Sequence, residues 1–247
     1  MFDITLINPN SPFLTSPRVM PPLGILYVIA SLEKQGYKVD FIDLAGHKKE
    51  DKLHSLETKT FGITSTTSQY PDVLEIKNFL KKHYPDVPIV LGGAHSTVFP
   101  EQCIEDGLDC VIIGEGEFVA KDFIEGKRGV INAEPIKGLD NCPFPDRRLV
   151  LDYEYTIDNI RTTTMMTSRG CPYNCAFCCK NWGNLIRFRS LGNVMDEIDE
   201  IARLGYRGIM FYDDEMLIDW DRDKKIFNYL HELGFVWRCF SRADILT

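Results

Sequence analysis

The chain has 247 residues, of which 44% are apolar and 26% charged, an ordinary globular balance with room for one large or two small domains. A net charge of −8 argues against broad binding to nucleic acid or anionic membrane, and no apolar run approaches the ~18 residues of a membrane span. The opening residues Met1-Phe2-Asp3-Ile4-Thr5 lack the basic start and apolar core of a secretory signal, so the eight cysteines are expected in a reducing cytoplasm, where clustered thiols point to metal rather than disulfides.

Residues 3–8 read as a first strand, ended by Pro9. After a loop over 10–20, Pro21-Pro22-Leu23-Gly24 opens a helix that runs to Gln35 and stops at Gly36. Residues 37–43 form a second strand, 47–57 a polar, helical crossover, and 60–65 a third strand. Val73, Leu74, Ile76, Phe79 and Leu80 give residues 71–83 a helical period, stopped by Pro85. Short strands at 87–91 and 108–113 flank a helix at 100–106, and a further helix starts at 118. Strands apolar on both faces that alternate with helices predict a doubly wound, Rossmann-like parallel sheet over residues 1–125.

Ligands of such sheets sit beyond the carboxyl ends of the strands. Those ends carry Thr64-Ser65-Thr66, then Gly92-Gly93-Ala94-His95, then Gly114-Glu115-Gly116-Glu117. Glycine permits close backbone approach and the hydroxyls offer donors and acceptors, although ordinary βα turns use the same residues. The G-x-G-x-x-G dinucleotide pattern is absent.

Residues 126–160 read as a packed linker: Pro135, Gly138, Pro143 and Pro145 alternate with Leu139, Phe144, Leu149 and Val150. From 161 onward the pattern is a strand at 162–167, a helix at 191–204, a strand at 207–212, a helix at 220–233 and a strand at 235–240. On the first of these helices Val194, Ile198 and Ile201 form the apolar face, and Glu197 and Glu200 are placed on the opposite one. Three successive βα units are the start of a barrel, whose working residues sit at strand carboxyl ends. The second strand ends in Asp213-Asp214-Glu215 and the third in Ser241-Arg242. Carboxylates there suit an ammonium group or a helix N-terminus, and arginine suits a carboxylate.

The first barrel strand leads into Cys171-Pro172-Tyr173-Asn174-Cys175-Ala176-Phe177-Cys178. Three thiolates in eight residues are a soft donor set that can hold three irons of a [4Fe–4S] cube and leave the fourth open. The alternatives are a zinc site or three unrelated thiols. Zinc sites come as paired C-x2-C or with histidine, and here no second pair exists and His231 is distant in sequence. Cys179 lies outside the spacing, Cys103, Cys110 and Cys239 fall at apolar positions, and Cys142 reads as structural or incidental.

Cys171, Cys175, Phe177 and Cys178, flanked by Ser168-Arg169-Gly170 and Pro172, resemble the cluster motif of the radical S-adenosylmethionine (SAM) superfamily. Asn8-Pro9, Pro21-Pro22-Leu23-Gly24, Gly92-Gly93-Ala94-His95 and Gly114-Glu115-Gly116-Glu117 are similar to the cobalamin-binding domain that precedes the radical SAM barrel in one subclass. The resemblance implies a [4Fe–4S] cluster on Cys171, Cys175 and Cys178, and SAM near Asp213, Asp214, Glu215, Ser241 and Arg242. It implies cobalamin near Thr64, Ser65, Thr66, Gly92, Gly93, His95, Gly114, Glu115 and Gly116. It further implies reductive cleavage of SAM to a 5′-deoxyadenosyl radical, methyl transfer to an unactivated carbon of a small-molecule substrate, and an electron donor such as flavodoxin or ferredoxin. Asp43-Leu44-Ala45-Gly46-His47 departs from the D-x-H-x-x-G of other cobalamin domains, so His47 is expected to be a solvated loop residue rather than a cobalt ligand. A radical SAM enzyme without cobalamin, or a non-catalytic binding module, are the alternatives. Family barrels carry six βα units and only three fall before Thr247, so the domain at 161–247 is expected to be the first part of a radical SAM barrel.

Overall fold

The computed structural model describes all residues except 13, 15, 17, 180, 181, 246 and 247. The chain divides into two compact units, one of residues 1–18 and 24–135, the other of 19–23 and 136–247.

In the first unit the described elements are β1 (Ile4–Asn8), α1 (Leu23–Lys34), β2 (Val39–Asp43), α2 (Lys49–Lys52), β3 (Phe61–Thr64), α3 (Tyr70–His83), β4 (Ile89–Gly92), α4 (Ala94–Val98), α5 (Pro100–Glu105), β5 (Cys110–Ile113), α6 (Ala120–Ile124) and β6 (Gly129–Asn132). The strands form one parallel sheet in the order β2-β1-β3-β4-β5-β6. Ile7, Phe61, Ile63, Ile89, Leu91 and Val111 meet Val73, Ile76 and Leu80 of α3 in one fully or nearly fully buried cluster. Each such side chain contributes about 1.5–3 kcal/mol when taken out of water. Helix α3 has its proline in the first turn with Asp72, and Lys81, Lys82 and His83 in its last turn, so its termini suit its dipole. The expected helix at 47–57 shrinks to α2, a single turn without buried residues, because its polar side chains have no apolar face to dock. The segment expected to join the two halves supplies β6 instead: Val111 pairs with Val130 and Ile112 with Ile131, which extends the sheet by one strand.

In the second unit follow β7 (Thr156–Ile157), β8 (Ile160–Met165), β9 (Ser168–Arg169), β10 (Arg187–Phe188), α7 (Leu191–Arg203), β11 (Gly208–Phe211), α8 (Trp220–Glu232) and β12 (Val236–Arg238). Strands β8, β11 and β12 run parallel, and β7 is added antiparallel to β8, giving the order β12-β11-β8-β7. Met165, Ile209 and Phe211 pack on Val194, Ile198 and Ile201 of α7 and on Ile226 and Leu230 of α8. Ser190 caps α7 by accepting from the Asn193 N–H at 3.2 Å, and Asp219 caps α8 from the Arg222 N–H at 3.1 Å. Residues 19–23 belong here in space, and the Tyr212 hydroxyl donates to the Met20 sulfur.

Candidate functional site

In the first unit the strand order reverses at β1, whose two neighbours are β2 and β3. Crevices of this kind, at the carboxyl ends of the strands, are where doubly wound sheets bind ligands. Ser65, just past β3, is buried and donates its N–H to Gly92 O at 2.9 Å, and its carbonyl accepts from His95 N at 3.0 Å. These bonds press the turn after β3 against the turn after β4. Gly93 is at φ +103°, and a Cβ there would lie 2.7 Å from Ser65 O, so only glycine fits. Gly92 faces open space, and Thr66 is exposed. Gly114 is also at positive φ, with Ala133 O 3.2 Å from where a Cβ would stand.

His95 is 3% exposed, its ring tilted against Tyr70 at 3.8 Å and against Phe99 at 5.2 Å. Nδ1 lies 3.3 Å from Thr67 Oγ1, Nε2 has no hydrogen-bond partner among the described residues, and burial holds the imidazole below its usual pKa. It therefore sits as a neutral ring in an aromatic packet under the turn. Glu115 and Glu117 are buried as well, and the Glu117 carbonyl accepts from Ser31 Oγ at 2.6 Å. His47, expected in solvent, is half-buried, with Nε2 3.0 Å from Arg18 Nη2. Asp43 accepts from Asn8 Nδ2 at 2.8 Å, so the ends of β1 and β2 are cross-braced by polar side chains.

In the second unit the cysteine loop has a defined neck. Strands β9 and β10 pair antiparallel, Ser168 with Phe188 and Arg169 with Arg187, and so close a loop over residues 170–186. Gly170 stands at φ +93°, and a Cβ there would meet Leu185 O at 2.4 Å, so the neck closes only around glycine. Arg169 lies 4.7 Å over the Trp182 ring, and the Cys171 N–H donates to Gly183 O at 3.3 Å. All three cysteines are free thiols; Cys171 and Cys175 are half-buried, Cys178 is exposed, and the Cys178 N–H donates to Cys175 O at 3.1 Å. Among the described residues no three His, Cys, Asp or Glu side chains are grouped to hold one metal ion. A single ion needs its donors within about 2.3 Å of one point, whereas a cluster gives each thiolate its own iron. By donor chemistry the set suits iron–sulfur. Three of the other cysteines do not compete: burial pushes the Cys110 thiol up to about 11 and raises Cys103 and Cys239 too, so these three stay protonated.

Residues 13–124 match the family described as B12 binding domain, and residues 165–243 match the radical SAM superfamily. The chain joins a B12-binding domain to a radical SAM domain. It is 28% identical to an uncharacterised methyltransferase of Pyrococcus horikoshii over 91% of this chain and 56% of the relative. It is 25% identical to the cytidylyl-2-hydroxyethylphosphonate methyltransferase of Streptomyces wedmorensis over 95% of this chain and 59% of that one. The chain thus spans between half and three fifths of these two relatives. Among solved structures, OxsB, a cobalamin-dependent SAM radical enzyme with aqua-cobalamin bound, superposes with a TM-score of 0.73 at 21% identity, covering 87% of this chain and 34% of its own. Among the described residues no helix is long and apolar enough to cross a membrane.

Within the radical SAM domain the acidic trio separates into three situations. Asp213 is 1% exposed and accepts from Thr167 N at 3.0 Å, Thr167 Oγ1 at 2.8 Å and Ser168 Oγ at 2.6 Å. Burial raises its pKa while those donors pull it back. Glu215, also 1% exposed, accepts from Ser241 Oγ at 2.6 Å and from Arg242 N at 2.9 Å. Both carboxylates are occupied in tying strand ends together. Asp214 is exposed and, among the described residues, accepts the Gly170 N–H at 3.2 Å, at the rim of the cysteine loop. Arg242 also reaches that loop: its Cζ lies 4.2 Å over the Tyr173 ring and Nη1 is 3.0 Å from Cys175 Sγ. The structure therefore gathers Asp214 and Arg242 at the cysteine loop and leaves Asp213, Glu215 and Ser241 as its supports.

Those supports include residues that sequence reasoning passed over. Glu197, assigned to the polar face of α7, is 0% exposed. It accepts from Arg147 Nη2 at 2.6 Å and from Arg189 Nη1, while the same arginines donate to the carbonyls of Thr164 and Met166 of the β8 region. Beside them Arg222 donates to Thr167 O at 3.0 Å and Arg189 O at 3.1 Å. The correction has a physical basis: a carboxylate can lie on a buried face when two arginines neutralise it there, and periodicity counts only apolar residues. Arg187 is buried with Nη1 on Ile136 O at 2.8 Å and so braces the neck.

Proposed function

We propose that the chain belongs to a cobalamin-dependent radical SAM enzyme that transfers a methyl group to an unactivated carbon of a small-molecule substrate. The observation that carries this reading is the cysteine loop: Cys171, Cys175 and Cys178 are free thiols on one loop, its neck clasped by β9 and β10, with Asp214 and Arg242 at its rim. The matched families and the methyltransferase names of the relatives support it. Cys171, Cys175 and Cys178 would hold a [4Fe–4S] cluster; bound there, it supplies the electron that splits SAM into methionine and a 5′-deoxyadenosyl radical, for which a flavodoxin or ferredoxin is the donor. Asp214, exposed and with one donor among the described residues, offers an acceptor to the SAM ammonium. Thr66, Gly92 and Gly93 offer the backbone approach and hydroxyl a corrin needs, while Ser65 and His95 hold their turns from beneath.

Anaerobic reconstitution with iron, sulfide and hydroxocobalamin tests the assignment. The expected product is brown, retains one corrin per chain after gel filtration, and releases 5′-deoxyadenosine from SAM and dithionite. An iron-loaded chain without corrin absorbance would identify a radical SAM enzyme that works without cobalamin. No 5′-deoxyadenosine from an iron-loaded chain would identify a binding module.

A further inference from the structure

Arg242 follows β12 and was expected, from sequence, to pair with a ligand carboxylate. Its geometry points elsewhere. The backbone N–H is fixed by Glu215 Oε2 at 2.9 Å, and the preceding Ser241 is fixed by Oε1 of the same buried carboxylate. The guanidinium carbon stands 4.2 Å over the Tyr173 ring. Its Nε and Nη2 make the two-pronged bond to Asp244 at 2.9 and 2.7 Å. With one edge occupied and one face covered, Nη1 is presented to Cys175 Sγ at 3.0 Å. A fork held at this many points is an oriented donor rather than a side chain free to follow a ligand.

We propose that Arg242 is a positioning residue that donates to the sulfur of one cluster ligand and raises the cluster's reduction potential, whether or not SAM is bound. This rests on the reading of Cys171, Cys175 and Cys178 as cluster ligands. Reduction adds negative charge to an iron–sulfur centre, and some of it resides on the thiolate sulfurs. An N–H bond and a positive charge at one sulfur stabilise the reduced form more than the oxidised form, and hydrogen bonds to sulfur and net charge are two of the terms that set such potentials. A charge-assisted bond is strong enough to shift the one-electron equilibrium by about tenfold, which is about 59 mV.

The test is a redox titration followed by electron paramagnetic resonance on reconstituted protein without SAM, alongside iron and sulfide analysis. In Arg242→Met the midpoint should fall, leaving about tenfold less reduced relative to oxidised cluster at a fixed potential near the wild-type midpoint. Arg242→Lys, which keeps the charge but not the fork, should recover part of the shift. A midpoint in Arg242→Met equal to wild type, or one that moves only after SAM is added, overturns the proposal and returns Arg242 to ligand binding. Should Arg242→Met load no cluster, Arg242→Gln decides by the same criterion. A wild-type chain that takes up no iron and sulfide would instead sink the cluster reading itself.

Discussion

Three adjacent acids, Asp213, Asp214 and Glu215, are chemically alike in sequence and unlike in place. Asp213 answers three donors in a buried setting, so Asp213→Asn loses an acceptor and sets an amide against Thr167 or Ser168. The expected cost is about 2 kcal/mol in urea unfolding. Asp214→Asn keeps an oxygen for Gly170 and sits at the surface, so its stability should stay within about 0.5 kcal/mol of wild type. Its SAM affinity by equilibrium dialysis should fall by about tenfold, the loss of one charge-assisted bond. Equal SAM affinity in the two proteins would remove Asp214 from the ligand site. A nearby carboxyl makes a pH test. Asp223 is fully buried, Oδ2 has no hydrogen-bond partner among the described residues, and burial pushes its pKa up to about 6 against the pull of Arg222. A carboxyl raised in the folded state favours folding fully below its unfolded value near 4, and that contribution is lost as pH rises through 6. Asp223→Asn should therefore remove a decline on the order of 2–3 kcal/mol between pH 4 and pH 7 in urea midpoints. An unchanged pH slope would show that Arg222 already keeps Asp223 ionised.

At the scale of elements, long periodic segments were legible: α3, α7 and α8 fall within a residue or two of their sequence-based bounds, because apolar spacing and terminal residues agree there. Short elements were not. Strand β6 sits in a segment whose prolines and glycines read as a linker, and it exists because β5 offers it an edge. The clasp of β9 and β10 has two residues a side, too few for any periodic signal. Among the site residues, the cysteines stood out by their spacing together with the resemblance of their surroundings to a family motif. The supports beneath them were not, since a buried arginine and a solvated one look the same in sequence. The Arg147–Glu197–Arg189 triad makes the point measurable. Glu197→Gln leaves two arginines buried with reduced compensation and should destabilise by about 3–5 kcal/mol. Ser190→Ala, on the same helix, should cost only about 1 kcal/mol through the lost cap. If the two substitutions cost the same in urea unfolding, the triad is not the stronger brace.

For the whole molecule, the two families match separate stretches, and the residues assigned to each cofactor lie in separate compact units. Loading should then be separable. Gly93→Val places a branched side chain against Ser65 and should abolish corrin retention while iron per chain stays at the wild-type level. Cys171→Ala should do the reverse, losing iron and keeping corrin. Loss of both from either substitution would mean that one site requires the other for assembly.

The clasp that closes residues 170–186 has one more consequence. Phe177 and Leu185 project from that hoop at 93% and 74% exposure, whereas the strands that hold its neck are hydrogen-bonded to each other and braced by Arg187. A protease such as chymotrypsin finds exposed substrate side chains on the hoop, whereas the neck's own aromatic, Phe188, is half-buried in the pairing with Ser168, so a single cut on the hoop opens the ring without parting the halves. The nicked protein would migrate as two fragments on a denaturing gel and as one species on a native column.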